Sequence, residues 1–549
     1  MIRKLVLLVT LVLALSCVSS PPPAVPELDL KLAGGRIVDG TGAPWFRADL
    51  GVRGDTIVAI GDLSAVTASK TIELAGSMVA PGFIDLLGQS QSSVLVDPSL
   101  EGKVRQGVTT EVTGEGWSPG PVSEEAAAER RDAGQPAWTT LADYFQVLES
   151  QGSATNFAFF VGATNARSMV LGSIDRDPTE EELRQMEEIV DQAMLEGAIG
   201  LSTSLIYVPA TFAETEELVR LARVASRRGG VYFSHIRNEE DLIVPALDEA
   251  FRIGREADIP VNVWHLKTSG PANHGRMPEI LAKIEQARSE GIDVAANMYP
   301  YPASSTGLTV LVPSWALEGG YAAFLERLKD PSLRARIGEQ MREKLPRRVS
   351  GPEGVLVTRI GTDEMEAYEK KTLAEIARSM DVDWVEAALR LYEANLSSPG
   401  AVYFSMSERD VQAALRHPWV AIGADSGAVP ESRRGAGAHP RAYGTFPRIL
   451  GHYARELGLF PVEEAVRKMT SLAAARAQLR DHGILRPGMK ADVVVFDPAT
   501  VRDLATFEDP HRYSVGIEHV IVNGVPVLED GAMTGRLPGR VLRGPAWRP

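Results

Sequence analysis

One cysteine, Cys17, stands in the whole of this 549-residue chain. No intramolecular disulfide can form, and a folded body beyond Cys17 has neither a cysteine-based zinc ribbon nor a cysteine nucleophile. Basic residues are also in deficit. The 57 Lys and Arg face 72 Asp and Glu, a formal charge of −15, which argues against a nucleic-acid surface as the main function. Only nine histidines occur, so any metal must be held by a few of them together with Asp or Glu. Past the first residues no apolar run reaches the roughly 20 residues that a membrane-crossing helix needs. What remains is 44% hydrophobic and 23% charged, the composition of a globular chain with a substantial core.

The first residues read as an address. Arg3 and Lys4 form a basic start, and Leu5 to Leu15 is apolar except for Thr10. That run suits a signal sequence and is too short for a bilayer span. It ends in Leu13-Ala14-Leu15-Ser16-Cys17, which resembles a bacterial lipobox; the resemblance implies a lipidated Cys17 at a mature N-terminus. Residues 1–17 are therefore expected to be a lipoprotein-type signal peptide and 18–27 a Pro-rich tether. The expected location is extracytoplasmic, with membrane attachment only through a lipid anchor at Cys17. An ordinary cleaved signal and a soluble periplasmic or secreted protein is the alternative.

Beyond the tether, strand and helix patterns alternate. Strands are expected at Met78–Leu86, Thr109–Gly114, Asn156–Gly162, Ile199–Tyr207, Val231–His235, Pro260–His265, Asp293–Tyr299 and Pro418–Asp425. His235 and His265 lie 30 residues apart, the length of one strand-and-helix unit. Eight such strands predict an α/β fold, a (β/α)8 TIM-like barrel over 77–485, with its active site at the C-terminal strand ends. Residues 306 to about 416 exceed one unit and are expected to form an inserted subdomain between strands seven and eight. Short β patterns at 28–76 and 486–545 predict a small composite β domain built from both chain ends.

Three residues end predicted strands where barrel chemistry concentrates: His235, His265 and Asp425. Two imidazoles from neighbouring strands can converge on one zinc, while a carboxylate from the last strand reaches its water. The competing explanation for each histidine is a hydrogen-bonded structural residue.

At these positions the chain resembles the amidohydrolase superfamily, and within it the D-aminoacylases (N-acyl-D-amino-acid deacylases). The matching pieces include Pro81-Gly-Phe-Ile-Asp85, Gly107-Val-Thr-Thr110, Ser234-His-Ile-Arg-Asn-Glu239, Tyr299-Pro-Tyr301, His439-Pro-Arg-Ala-Tyr443 and Ala491-Asp-Val-Val-Val-Phe-Asp497. The resemblance implies His235 and His265 as zinc ligands and Asp425 as the catalytic aspartate. It further implies Arg441 as the holder of a substrate carboxylate, which suits a guanidinium fork, and Lys267, Tyr299 and Ser305 as other substrate contacts. From the residues alone, Lys267 reads equally as a solvated loop charge and Tyr299 as packing.

The departures are as informative. Superfamily members carry His-x-His after the first strand, and here those places hold Leu87 and Gln89, so a second metal site is expected to be lost. D-aminoacylases use a cysteine after strand two; this chain reads Gly114-Glu115-Gly116-Trp117, and Glu115 is the nearby residue able to be the third ligand. The alternative is Glu115 as a loop acid. No lysine occurs between Lys103 and Lys267, so a carbamylated lysine on strand four is excluded; Ser202 and Ser204 stand there. The expectation is a hydrolase with one Zn(2+) per chain, cleaving the amide of N-acyl-D-amino acids or related small amides. Its partners are a small N-acyl amino acid or short peptide and no nucleic acid. The alternatives are a D-residue peptidase on cell-wall-derived peptides and a metal-free barrel that only binds its ligand.

Overall fold

The structure, a computed structural model, describes residues 28–433 and 437–548. The predicted signal peptide, tether and Cys17 lie outside them. Among the described residues no helix is long and apolar enough to cross a membrane.

Eight parallel strands close a barrel: β1 (Phe83–Asp85), β2 (Val108–Thr113), β3 (Asn156–Phe159, continued at Val161–Gly162), β4 (Gly200–Ser204), β5 (Val231–His235), β6 (Val261–Val263), β7 (Val294–Met298) and β8 (Val420–Ile422). Every one of their residues is buried, which is why they read as continuous runs without alternation. Register carries each strand end to its neighbour: Asp85 faces Glu111, Thr113 faces Phe159, Ser204 faces His235, and Met298 faces Ile422. Closure comes from the Leu86 amide donating to the Ile422 carbonyl (3.3 Å) and the Asp425 amide to that of Leu87 (2.9 Å).

Surrounding helices such as Ile243–Ala257 bury one apolar stripe. Over Ile243–Ala257 the buried residues are Ile243, Ala246, Leu247, Ala250, Phe251, Ile253, Gly254 and Ala257, the spacing of a single helical face. Asp258 ends that helix in the left-handed region (φ 51°), as helix-terminating residues often do.

The predicted strand Met78–Leu86 is two strands. Met78–Pro81 pairs antiparallel with Val493–Phe496 in a nine-stranded sheet made from both chain ends, so that sheet extends to Pro81 and does not stop at residue 76. Gly82 makes the crossing into the barrel: its amide donates to the Asp492 carbonyl (2.8 Å), and a Cβ there would stand 2.2 Å from Thr109 Oγ1. Only glycine admits so close an approach.

Between β7 and β8, Ser304–Gly307, Val355–Arg359 and Gly400–Tyr403 form a three-stranded antiparallel sheet. It packs with the helices Pro331–Arg348, Leu373–Met380 and Trp384–Glu393 around its own core, which includes Leu308, Phe324, Ile337 and Tyr392. This unit is shorter than the 306–416 expected. The helix Glu408–Leu415, capped by Ser407, packs on the barrel helix Met277–Ser289 and leads into β8.

Candidate metal centre

His235 is the last residue of β5, and His265 follows β6 by two residues with a left-handed backbone (φ 37°). The Asn297 side-chain oxygen accepts the His265 amide hydrogen (2.8 Å), holding that uncommon conformation. Glu115 lies two residues beyond β2, between Gly114 (φ 103°) and Gly116 (φ 66°). Ser202 Oγ clamps this turn, donating to the Gly114 carbonyl and accepting from the Gly116 amide (3.1 Å). A Cβ on Gly116 would meet Ser204 at 2.6 Å. The strand-four serines that stand in place of a lysine thus seat the loop carrying Glu115.

These three side chains converge. Glu115 Oε1 is 2.8 Å from His235 Nδ1 and 3.0 Å from His265 Nε2, and the two nitrogens are 2.9 Å apart. Among the described residues this is the group able to hold a metal ion. Zinc bonds of roughly 2.1 Å at tetrahedral angles separate ligands by about 3.4 Å, so each edge of the triangle need open by only about half an ångström to take zinc, and two imidazoles with one carboxylate form a ligand set that zinc enzymes use. Burial keeps the His235 pKa low, favouring the neutral form that binds metal. Burial opposes ionisation of Glu115, yet its contacts with His235 and His265 hold it well below the usual carboxylate range.

A fourth residue serves both imidazoles, and the sequence reading missed it. Glu239 Oε1 lies 2.9 Å from His265 Nδ1, and Glu239 Oε2 lies 3.7 Å from His235 Nε2, a buried nitrogen without a hydrogen-bond partner. A carboxylate behind a ligating histidine fixes its tautomer and orientation. Lys267 Nζ donates to Glu239 (2.5 Å) and reaches His265 Nδ1 (2.7 Å). The reading of Lys267 as a solvated charge is corrected: it is 3% exposed. Glu239 was visible as the fourth residue after His235 in the Ser234–Glu239 match, but two of its partners, His265 and Lys267, come from the next strand.

Asp425 follows β8 in a left-handed backbone (φ 52°). Burial raises its pKa, while Arg441 and His265 oppose the rise. Arg441 Nη1 pairs with Asp425 Oδ2 at 2.7 Å, and Nη2 donates to the Ser305 carbonyl at 3.1 Å. The guanidinium lies over the Tyr299 ring, 4.5 Å from its centroid. Tyr299 is buried and its hydroxyl faces Met406 Sδ (3.6 Å). His439, two residues before it in the His439–Tyr443 piece, holds Arg441: its Nδ1 accepts the Arg441 amide hydrogen (3.0 Å) and its Nε2 donates to the Ala303 carbonyl (3.0 Å). A cavity of about 250 Å³ is lined by Gln89, Glu115, His235, His265, Lys267, Tyr299, Ser305 and Asp425. Arg441 lines an adjoining outer cavity of about 800 Å³ with Asp425, Gln89 and Ser305. All eight predicted site residues therefore meet at one mouth of the barrel. Leu87 is fully buried and presents no ligand atom.

Known proteins resemble this chain in sequence and fold. The sequence pattern of the amidohydrolase family matches residues 70–528. A D-aminoacylase of Alcaligenes xylosoxydans xylosoxydans is 41% identical over 519 residues, covering 94% of this chain and 97% of its own. A solved D-aminoacylase, described as having a binuclear metal centre with one-metal activation and second-metal attenuation, superposes with a TM-score of 0.80 at 39% identity, over 94% and 100% of the two chains. The N-acyl-D-glutamate deacylase of Bordetella bronchiseptica, solved with zinc and a phosphonate mimic of the tetrahedral intermediate, gives 0.80 at 36% over the same shares.

Proposed function

Because this chain belongs to the amidohydrolase family, we propose that it is a metal-dependent N-acyl-D-amino-acid deacylase holding one zinc at Glu115, His235 and His265. The observation that carries this is the convergence of those three donors within 3.0 Å of one another, with Asp425 and Arg441 paired on the adjoining wall.

A zinc ion in that triangle supplies a Lewis acid for the scissile carbonyl and lowers the pKa of a water. The rest falls to the chain. Asp425, its pKa raised by burial, is suited to take the attacking water's proton and return it to the departing amine nitrogen. Arg441 Nε is buried without a hydrogen-bond partner and Nη1 is held only by Asp425, and a substrate carboxylate satisfies the guanidinium. That carboxylate competes with Asp425 for the guanidinium and so frees the aspartate for its proton. Lys267 and Glu239 keep the imidazoles turned toward the centre.

The outer cavity of about 800 Å³ exceeds the needs of an N-acetyl amino acid and favours, as a second reading, short D-residue peptides. The Cys17 motif supports an extracytoplasmic, lipid-anchored location. The test is a panel of N-acyl-D- and N-acyl-L-amino acids and D-dipeptides, with zinc measured in the same preparation. Hydrolysis confined to D-substrates by zinc-containing protein is expected. Zinc-free protein that binds but does not cleave them would leave only the ligand-binding barrel.

A further inference from the structure

A third cavity, of about 330 Å³, opens beside the central one and shares Ile206, Tyr207 and Arg348 with it. Its walls mix apolar side chains, Val310, Val312 and Leu317 among them, with polar ones, and two of its four charged residues come from one helix of the insert. Arg348 ends the helix Pro331–Arg348, and Lys344 stands one turn earlier on the same face.

The charge in this cavity is unbalanced. Arg348 is 6% exposed and pairs with Glu240 at 2.8 Å, but its Nε is buried and has no hydrogen-bond partner. Lys344 Nζ donates only to the Val312 carbonyl, at 3.3 Å, and no salt bridge joins it to a carboxylate among the described residues. Arg237, the remaining cation on the wall, is paired with Glu249 (2.9 Å). Glu240 is thus the single carboxylate lining the cavity against Arg348 and Lys344. Burial and the neighbouring Arg348 push the Lys344 pKa down to about 8, as expected of a cation short of a counter-charge.

We propose that this inner cavity is an anion subsite that receives a carboxylate-terminated arm of the substrate. Arg441 lines the outer cavity and Arg348 the inner one, with the metal ligands on the cavity between them. Two carboxylates on one substrate can therefore be held on separate walls. The apolar part of the wall, Val310, Val312 and Leu317, suits the methylenes of the arm, and the guanidinium suits its end as a bidentate donor. The arm is either the amino-acid side chain or the acyl group; that it belongs to a substrate rests on the deacylase reading above.

Zinc-containing protein is assayed on N-acetyl-D-methionine, N-acetyl-D-glutamate and N-succinyl-D-methionine. One of the two dicarboxylates is expected to exceed the neutral substrate in kcat/KM, and which one does so tells side chain from acyl arm. That preference should fall tenfold or more in Lys344→Met and in Arg348→Met, the scale of a lost charge-assisted hydrogen bond. Preference for the neutral substrate, or the same preference in wild type and variants, overturns the subsite. Arg348→Met leaves Glu240 buried without its partner, so Arg348→Met/Glu240→Gln provides the same comparison at balanced charge. Calorimetric titration with glutarate separates the two readings. Loss of affinity in Lys344→Met with no hydrolysis of any substrate retains the subsite and removes the deacylase. Hydrolysis with unchanged glutarate affinity removes the subsite and retains the deacylase.

Discussion

Gln89 holds Asp425: its Nε2 donates to Asp425 Oδ1 at 3.0 Å, and the same nitrogen donates to Glu115 Oε2 at 2.8 Å. An uncharged amide thus links the proposed base to the proposed third ligand, at a place where the family resemblance leads one to expect a metal-binding histidine. Fully active protein should accordingly contain close to one zinc per chain by elemental analysis. Leu87→His/Gln89→His should bind a second. Two tightly held metals in the active wild type would overturn the single-site assignment.

Glu115→Ala leaves two imidazoles and an open face. Zinc affinity should fall by tenfold or more, because catalytic zinc sites ordinarily use three protein ligands. Glu115→Cys should recover part of it, since a thiolate is a strong zinc ligand. Competition with a chromogenic chelator measures both. Full zinc and full activity in Glu115→Ala would make Glu115 a loop acid.

Asp425→Asn should separate binding from chemistry. Metal content should stay near that of the wild type, while kcat falls by roughly 10²–10⁴-fold, the usual share of a positioned acid–base group. A variant that loses its metal together with its activity would make Asp425 a ligand.

The buried acid Glu111 gives stability a pH dependence. Burial raises its pKa from 4.5 to about 7, although Lys103, 3.6 Å away, and the Ser90 hydroxyl favour the carboxylate. A carboxyl whose folded pKa lies above its unfolded one contributes stability fully below the unfolded value and loses it as pH rises through the folded value. Melting temperature should therefore decline from about pH 5 to about pH 8, and less steeply in Glu111→Gln, measured by calorimetry at each pH. Equal slopes would show that Glu111 is ionised throughout.

Cys17 is the sole cysteine and follows an apolar run. Wild-type protein should partition with membranes and carry acyl chains by mass spectrometry, and Cys17→Ser should be released or left unprocessed. The difference should be large, because several chains anchor stably where one anchors marginally. A fully soluble, unlipidated wild type would remove the anchor.

By itself the sequence determined the barrel and the strand-end chemistry. Fully buried parallel strands must be continuous apolar runs, and the chain must return after each one, so eight runs separated by helical stripes define a closed sheet without knowledge of any contact. His235, His265 and Asp425 were legible because they sit at the ends of those runs. The tertiary structure alone decided what surrounds them. Gln89 reaches Asp425 across 336 residues, Glu239 sits between ligands of two strands, His439 fixes Arg441, and Lys267 is buried where a loop charge was as plausible. The split of Met78–Leu86 at Gly82 depends on Thr109, which no local pattern reveals. Hydrophobic periodicity is a local signal. Hydrogen bonds, ion pairs and close approaches at the site join residues that only barrel closure brings within 3 Å, and their identity is set by that geometry.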